Sequence, residues 1–294
     1  MVLTPKVSAL SRLLAASTPM ADSDTEFEGS IPALYDRYLG PLIFEPYAID
    51  LAGRCSDLAG GDLLETAAGT GVVTRALARL LPVSVAIVAT DLKSAMLAFA
   101  AVRAEREPGQ PEGRIIWQQA DALALPFENG RFDAVVCQFG AMFFPNKIEA
   151  YREARRVLKP GGRFVFNVWD RIETSDFAHV ISASVASDFP DDPPDFLRRV
   201  PHGYHDTERI VDELGAAGFS LVTVETIERL TRANSPRDPA IGFCQGTPLR
   251  VEIETRDPSR LAAVTEAAAA AVTARFGGGI VEGRSRAHVI TAIR

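Results

Sequence analysis

The heptad Glu65-Thr66-Ala67-Ala68-Gly69-Thr70-Gly71 closes a short apolar run and passes straight into a stretch of helical periodicity. Glycines at such a junction let a ligand approach the backbone and lie against the unpaired N–H groups of a helix N-terminus. Twenty residues beyond Gly71, Asp91 ends a second, β-branched apolar run. A carboxylate at that place has two oxygens to accept from the two hydroxyls of a ribose. Type and spacing together point to a nucleotide-like ligand held where two strands open into turns.

The elements that must position these residues read clearly. Segments 62–67, 83–91, 114–121, 131–139 and 163–170 are strand-length and apolar. Helical periods fill 72–81, 94–106 and 146–158, the last stopped by Lys159-Pro160-Gly161-Gly162. Alternating strands and helices predict an α/β fold, a parallel sheet covered on both faces. Ahead of it, 31–55 predicts two short helices broken at Gly40-Pro41. After Asp170 the rhythm fails. Residues 171–206, with FPDDPPDF and PHGYHD, read as an insertion. A helix over 208–219, a strand over 220–230 and a last strand over 287–294 return to the sheet. Between them, 231–286 is mixed, with a helix over 261–276.

The 294 residues permit one or two domains. The reading adopted is a flexible extension over 1–30 and a single domain over 31–294. The first twenty residues carry Lys6, Arg12 and no acid, a faint likeness to a transit or signal segment. They read better as a disordered extension, or as sequence ahead of a start at Met20. Thirty-one basic against thirty-eight acidic residues leave a net charge of -7, which argues against nucleic acid as a partner. No stretch has the run of about 20 apolar residues that a membrane span needs. Cys55, Cys137 and Cys244 fit no zinc or redox spacing, and a reducing cytoplasm is expected.

Two kinds of cofactor use such a turn. Dinucleotide enzymes favour G-x-G-x-x-G, with the pyrophosphate on the helix N-terminus. Here Thr74 stands in the third glycine position, and Glu65 would be a poor neighbour for a pyrophosphate. A carboxylate suits a cationic amino-acid group instead, which favours S-adenosyl-L-methionine. The rest of the core carries the same message. Asp91-Leu92-Lys93-Ser94-Ala95-Met96, Asp121-Ala122 followed by Leu125-Pro126-Phe127, Phe132-Asp133 through Gly140, and Arg155 through Gly162 follow in order. With the first turn, these five motifs resemble the class I S-adenosylmethionine-dependent methyltransferases, specifically the ubiquinone/menaquinone-methylase-like group acting on small molecules. The resemblance covers about 62–169 and weakens through 219. Its departures are Glu65 for the commoner Asp, and Ala67 and Ala68 for Gly and Cys.

The resemblance implies a Rossmann-like, doubly wound, mostly parallel seven-stranded sheet, with 171–206 and 231–286 as helical lid insertions. It implies that Glu65, Ala67, Gly69 and Gly71 hold the methionine end. Asp91 would bind the ribose hydroxyls, Leu92 would pack on adenine, Asp121 with the Ala122 N–H would bind adenine, and Met96 would be a further cofactor contact. Gln138 and Phe139 would line the methyl side, and Tyr38 (or Tyr35) would cap the cofactor. The plainer roles are a turn for Asp121 and helix packing for the tyrosines.

Methyl transfer from a sulfonium is an in-line displacement, and a base is needed only when the nucleophile must lose a proton. Three of the four histidines, His179, His202 and His205, fall in 171–206. His205 is the expected base, because it immediately precedes a helix returning to the sheet; His288 reads as structural. Asp188, Asp191, Asp192 and Asp195 alternate with prolines and read as an exposed acidic loop, so no metal is expected. Phe143, Phe144, Trp169, Phe177, Phe189 and Phe196 point to an aromatic or lipophilic acceptor, or simply to core. Two other functions compete: an NAD(P)-dependent oxidoreductase, and a non-catalytic S-adenosylmethionine-binding protein, which the altered turn keeps open. A nucleic-acid methyltransferase is disfavoured by the charge and by Gln138-Phe139-Gly140-Ala141 after the fourth strand.

Overall fold

Strands rich in branched apolar residues pair into one sheet, with both faces of its centre covered by helices. A computed structural model describes residues 2–3, 22–27, 29–106 and 113–294. The strands are β1 (Val2–Leu3), β2 (Gly61–Glu65), β3 (Val85–Asp91), β4 (Ile115–Gln119), β5 (Phe132–Gln138), β6 (Leu158–Trp169), β7 (Leu221–Ala233) and β8 (Val281–Ile293). Their order is β1-β7-β8-β6-β5-β2-β3-β4. From β4 to β6 the pairing is parallel. β8 runs antiparallel between β6 and β7, and the two-residue β1 adds an antiparallel pair outside β7. The seven longer strands form the expected Rossmann-like sheet. The chain winds one way from β2 to β3 and the other way from β5 to β6. The crevice between β2 and β5 is therefore the switch point where such sheets take ligands.

The helices of the core lie close to their expected places, at Val72–Leu80, Ser94–Glu105, Lys147–Val157 and Thr207–Ala216. Asn146 caps the third by accepting from the Glu149 N–H, and Asp206 caps the fourth through Glu208 and Arg209. Two features, the continuous helix over 31–53 and the start of β8, differ from expectation, and the helices of the two insertions give it detail. Residues 31–53 form one unbroken helical rod, because Tyr35–Phe44 is wound as a π-helix that takes up Gly40-Pro41. In that wide winding the Glu45 N–H reaches the Gly40 carbonyl five residues back. The stretch 171–206 contains the helices Asp176–Asp188 and Phe196–Arg199. The second insertion holds Arg237–Gln245 and Leu249–Arg256 besides the expected Leu261–Phe276. β8 begins at Val281, inside the stretch assigned to the lid. Its first half alternates buried Val281, Gly283 and Ser285 with outward Glu282, Arg284 and Arg286, a pattern that reads as loop when only apolar runs are counted.

The N-terminal lead is partly anchored. Asp24 is buried and binds Arg199 through both oxygens at 2.6 and 2.7 Å, and Arg199 also reaches Glu252 at 2.9 Å. The expected targeting or disordered stretch over 1–20 otherwise lies outside the described residues. Cys55, Cys137 and Cys244 are buried and unpaired. No helix among the described residues is long and apolar enough to cross a membrane.

At the crevice two turns leave neighbouring strands in left-handed conformations, Ala67 at φ 53° and Phe139 at φ 48°. Gly140 must be glycine there: a Cβ would stand 2.5 Å from that of Ala67 and 2.8 Å from Cys137 Sγ. Gly140→Ala is expected to cost about 1–3 kcal/mol by overpacking. Adding Ala67→Gly should restore part of that loss, as a urea-unfolding cycle would measure.

Candidate active site

Two adjoining cavities open beyond the carboxyl ends of β2 to β6. The first is a cleft of about 860 Å³. Ala67, Gly69, Asp91, Leu92, Asp121 and Gln138 wall it, with Met96, Ala122 and Phe139 beside them. Gly69 N–H donates to one Asp91 oxygen and Lys93 N–H to the other, each at 2.8 Å. These bonds hold the carboxylate in place and leave each oxygen able to accept again. The cleft walls desolvate Asp91 and push its carboxyl up, against the pull of those N–H groups. Leu92 lies half exposed on the rim. Asp121 accepts from the Leu123 N–H at 2.9 Å, closing the turn after β4 with one oxygen. The Gln138 amide nitrogen donates to the Phe44 carbonyl at 3.3 Å, while its Oε1 is buried without a partner.

Three expected residues lie elsewhere. Tyr38 packs against Gly242 of Arg237–Gln245, with the Arg37 guanidinium over its ring. Tyr35 lines the cleft instead, because π-winding rotates side chains away from their α-helical faces. Asp36 fixes that helix by pairing with Arg75 at 3.4 Å and Arg103 at 3.0 Å, and Arg75 also donates to the Thr70 carbonyl in the glycine turn. Gly71 precedes the helix Val72–Leu80 at φ 76°, and a Cβ on it would press the Trp117 ring at 2.9 Å. It allows packing rather than ligand contact. Glu65 is turned behind the cleft wall, where Thr74 Oγ1 donates to it at 2.5 Å. Burial pushes its carboxyl up to about 8.

The second cavity is a chamber of about 660 Å³ whose walls are largely aromatic. Phe139 lies flat on Trp169, centroids 3.7 Å apart and planes 6° off parallel, and Tyr47 meets both rings edge-on. Phe27, Tyr35, Phe139 and Phe143 line both cavities and form their common boundary. Of the aromatics singled out in the sequence, Phe143, Trp169, Phe177 and Phe196 line the chamber, and Phe144 lines the cleft. Phe189 lines neither and lies under the Arg260 guanidinium.

The base expected at His205 is not in the site. His205 is exposed, lines neither cavity, and bonds through Nδ1 to the His202 carbonyl at 2.8 Å. His202 is the histidine in the chamber wall, buried, with Nδ1 2.6 Å from the Asp170 carbonyl. Burial holds its imidazole down to about 4, so it is neutral at pH 7. Gly203 was the available signal: a Cβ there would collide with the Arg199 carbonyl, so only glycine permits the turn that directs His202 inward. His288 is structural, held by Asp170 at 3.3 Å and Thr226 at 2.9 Å. The acidic loop is tied down by arginines: Asp188 to Arg260, Asp192 to Arg256, Asp195 to Arg199.

Residues 64–166 match the sequence model of the family described as "Methyltransferase domain". Over that stretch the chain is similar to methyltransferase domains. The ubiquinone/menaquinone biosynthesis C-methyltransferase UbiE of Pseudomonas paraeruginosa is 37% identical over 123 residues, 42% of this chain and 46% of that one. The chain thus spans about half the length of the curated relatives it matches. Phosphoethanolamine N-methyltransferase 2 of Haemonchus contortus, solved with phosphomonomethylethanolamine and S-adenosylhomocysteine, superposes with a TM-score of 0.60 at 16% identity, over 94% of this chain and 60% of that one. The [4+2]-cyclase SpnF gives a TM-score of 0.51 at 23% identity, over 85% of this chain and 80% of that one. These structures share the methyltransferase domain's fold. The family match ends at residue 166, before Trp169 and the lid, so it covers most of the cleft lining but, of the chamber, only Phe139, Met142 and Phe143.

Glu65 sets a pH dependence on the domain. Its folded carboxyl is raised from 4.5 to about 8, so the folded state retains a proton that the unfolded chain releases. Its contribution to stability is complete below pH 4.5 and is lost as pH rises through about 8. The melting temperature of the ligand-free protein should fall between pH 5 and 8, and Glu65→Gln should flatten that slope.

Proposed function

We propose that this protein transfers a methyl group from S-adenosylmethionine to an apolar small molecule. The observation that carries the reading is the shared aromatic boundary: one cavity has the polar groups of a nucleoside site, and the other is apolar. The cleft residues fit S-adenosylmethionine. Asp91 offers two acceptors to the ribose diol, Leu92 an apolar face to adenine, and Asp121 with the Ala122 N–H a polar edge to the base. Ala67 and Gly69 allow close approach of the methionine end. The orphaned Gln138 Oε1 is an acceptor for its ammonium group. Glu65 acts from behind the turn, since its carboxyl lines neither cavity.

When bound, S-adenosylmethionine supplies an activated methyl group on a sulfonium. The chain supplies position. The rings of Tyr35, Phe139 and Phe143 exclude water from the boundary and hold an acceptor face toward the cleft. In the best intramolecular models such orientation is worth about 7–11 kcal/mol. The matched relative is named for C-methylation in ubiquinone and menaquinone biosynthesis. An aromatic or quinone-like ring fits the chamber here, whose guanidinium, Arg284, is already bonded to Asp176. Among the described residues that line it, a charged phosphoethanolamine-like acceptor would find no spare cation. The proposed setting is the reducing cytoplasm, in keeping with the three free thiols.

Calorimetry should show S-adenosylhomocysteine binding without competition from NADH. Asp91→Ala should weaken S-adenosylmethionine binding more than tenfold, as loss of a charged acceptor implies; unchanged affinity would remove the ribose assignment. Radiolabelled methyl transfer to a panel of hydroxylated aromatics and hydroquinones should exceed transfer to amino alcohols. Tight binding with no transfer to any acceptor would favour the non-catalytic reading.

A further inference from the structure

Among the polar groups that interrupt the apolar wall of the chamber are Ser175 and His202. Ser175 stands immediately before the helix Asp176–Asp188, the place where a serine normally caps. Its side chain makes no capping bond, and its Oγ is buried with no hydrogen-bond partner. An unpaired buried hydroxyl costs about 1–3 kcal/mol unless something else binds it. Ser175 lines the chamber. His202 lines it as well, and the Asp170 carbonyl, which can only accept, fixes a proton on its Nδ1. In that tautomer Nε2 carries the lone pair.

The carbonyl that sets this tautomer is itself held. Asp170 N–H donates to the Arg286 carbonyl at 3.0 Å, and its carboxylate takes Arg286 Nε at 2.6 Å and His288 at 3.3 Å. The charges facing His202 are therefore already matched. Asp170 is neutralised by Arg286, Glu173 pairs with Arg198 at 2.6 Å, and Arg284 on the chamber wall is bonded to Asp176 at 3.3 Å. His205, whose positive form opposes a second charge on His202, is exposed to solvent.

We propose that His202 Nε2 is the proton acceptor of the chamber and Ser175 Oγ its second polar anchor, so that the acceptor is a hydroxylated aromatic ring bearing a further oxygen. This rests on the methyltransferase reading and narrows its substrate class. In the step, the ring hydroxyl oxygen bonds to the methyl carbon as the carbon–sulfur bond breaks. The bonding pair leaves with sulfur, giving a neutral thioether. The hydroxyl proton passes to Nε2, and the imidazolium later returns it to water. The Nδ1 bond to Asp170 is kept throughout. Because the imidazole is neutral at pH 7, the base needs no prior deprotonation across the physiological range.

The test uses the full chain loaded with S-adenosylhomocysteine. Nitrogen-15 NMR at pH 7 should show His202 protonated on Nδ1 and bare on Nε2. Adding 4-nitrophenol should shift Nε2 and leave Nδ1 in place. A proton on Nε2, or an unmoved Nε2, overturns the assignment whether or not the protein turns over. His202→Asn keeps a donor for the Asp170 carbonyl but has no base. With the best hydroxyaromatic of the panel it should lose at least 100-fold in kcat at pH 7 and keep S-adenosylhomocysteine affinity within twofold. That loss should shrink as pH approaches the acceptor's own pKa; a loss equal at every pH means a structural role and overturns the proposal. Ser175→Ala should raise KM severalfold with little change in kcat, and an unchanged KM removes the anchor. Absence of transfer to every acceptor would instead sink the methyltransferase reading, while the nitrogen-15 result still judges His202.

Discussion

Where β2 and β5 part, the methyl of Ala67 fills the space in which a side chain on Gly140 would stand. Two parallel strands are hydrogen-bonded neighbours up to this point, and their continuations must turn away in opposite directions. Both Ala67 and Phe139 do so in left-handed conformations without being glycine. For a residue as bulky as phenylalanine that geometry is costly, and packing must hold it. The flat stack on Trp169 and two hydrogen bonds from the Phe139 N–H, to the Asn167 carbonyl and Asn167 Oδ1, do so. The cleft lies on one side of this constriction and the chamber on the other. The relation of the two cavities thus follows from one crowded crossing of the backbone.

Around that crossing the lid is fastened by paired charges. Asp24 with Arg199, Asp36 with Arg75 and Arg103, Asp170 with Arg286, and Asp176 with Arg284 all bring a carboxylate out of water. Such pairs add little net stability, because desolvation offsets the attraction, but a misplaced lid would leave each charge alone at several kcal/mol. They therefore specify where the lid segments lie. A second consequence concerns the reaction proposed. With its charges already matched, the chamber interior is neutral and apolar. Transfer from a sulfonium to a nucleophile that gives up its proton disperses charge, and a water-free site does not hold back the reactants by solvating them.

The central sheet and the residues that wall the cleft were legible in the sequence, because both depend on local patterns. Runs of branched apolar residues gave β2, β3 and β5 within two residues, and Asp91, Leu92, Asp121 and Gln138 are backbone-near groups at strand ends. What was not legible depends on geometry that a linear pattern hides. Tyr38 was named ahead of Tyr35, and in the π-wound stretch it is Tyr35 that reaches the cleft. The first half of β8 alternates arginine and glutamate with small buried residues, so its strand character is invisible to an apolar count. His205 was favoured for its place before a helix, yet that place made it a surface residue. His202, three positions earlier, is carried inward by a turn that only Gly203 permits.

The shared fold leaves the chemistry open, since a [4+2]-cyclase has the same sheet. Discrimination must come from outside the common core, and here the lid delivers it from two directions. Ser175 arrives ahead of one lid helix and His202 arrives after the next, so neither position alone could be read as a site. Their common reference is the end of β6, where Trp169 gives the chamber its floor and Asp170, the next residue, gives His202 its tautomer. A shift of β6 by one residue would exchange the faces of both. That register is locked by pairing along Arg163–Trp169 with β8, whose Arg286 and His288 bind the Asp170 carboxylate. The antiparallel pairs that distinguish this sheet from a purely parallel one thereby do more than close its edge: they set the height at which the lid meets the core.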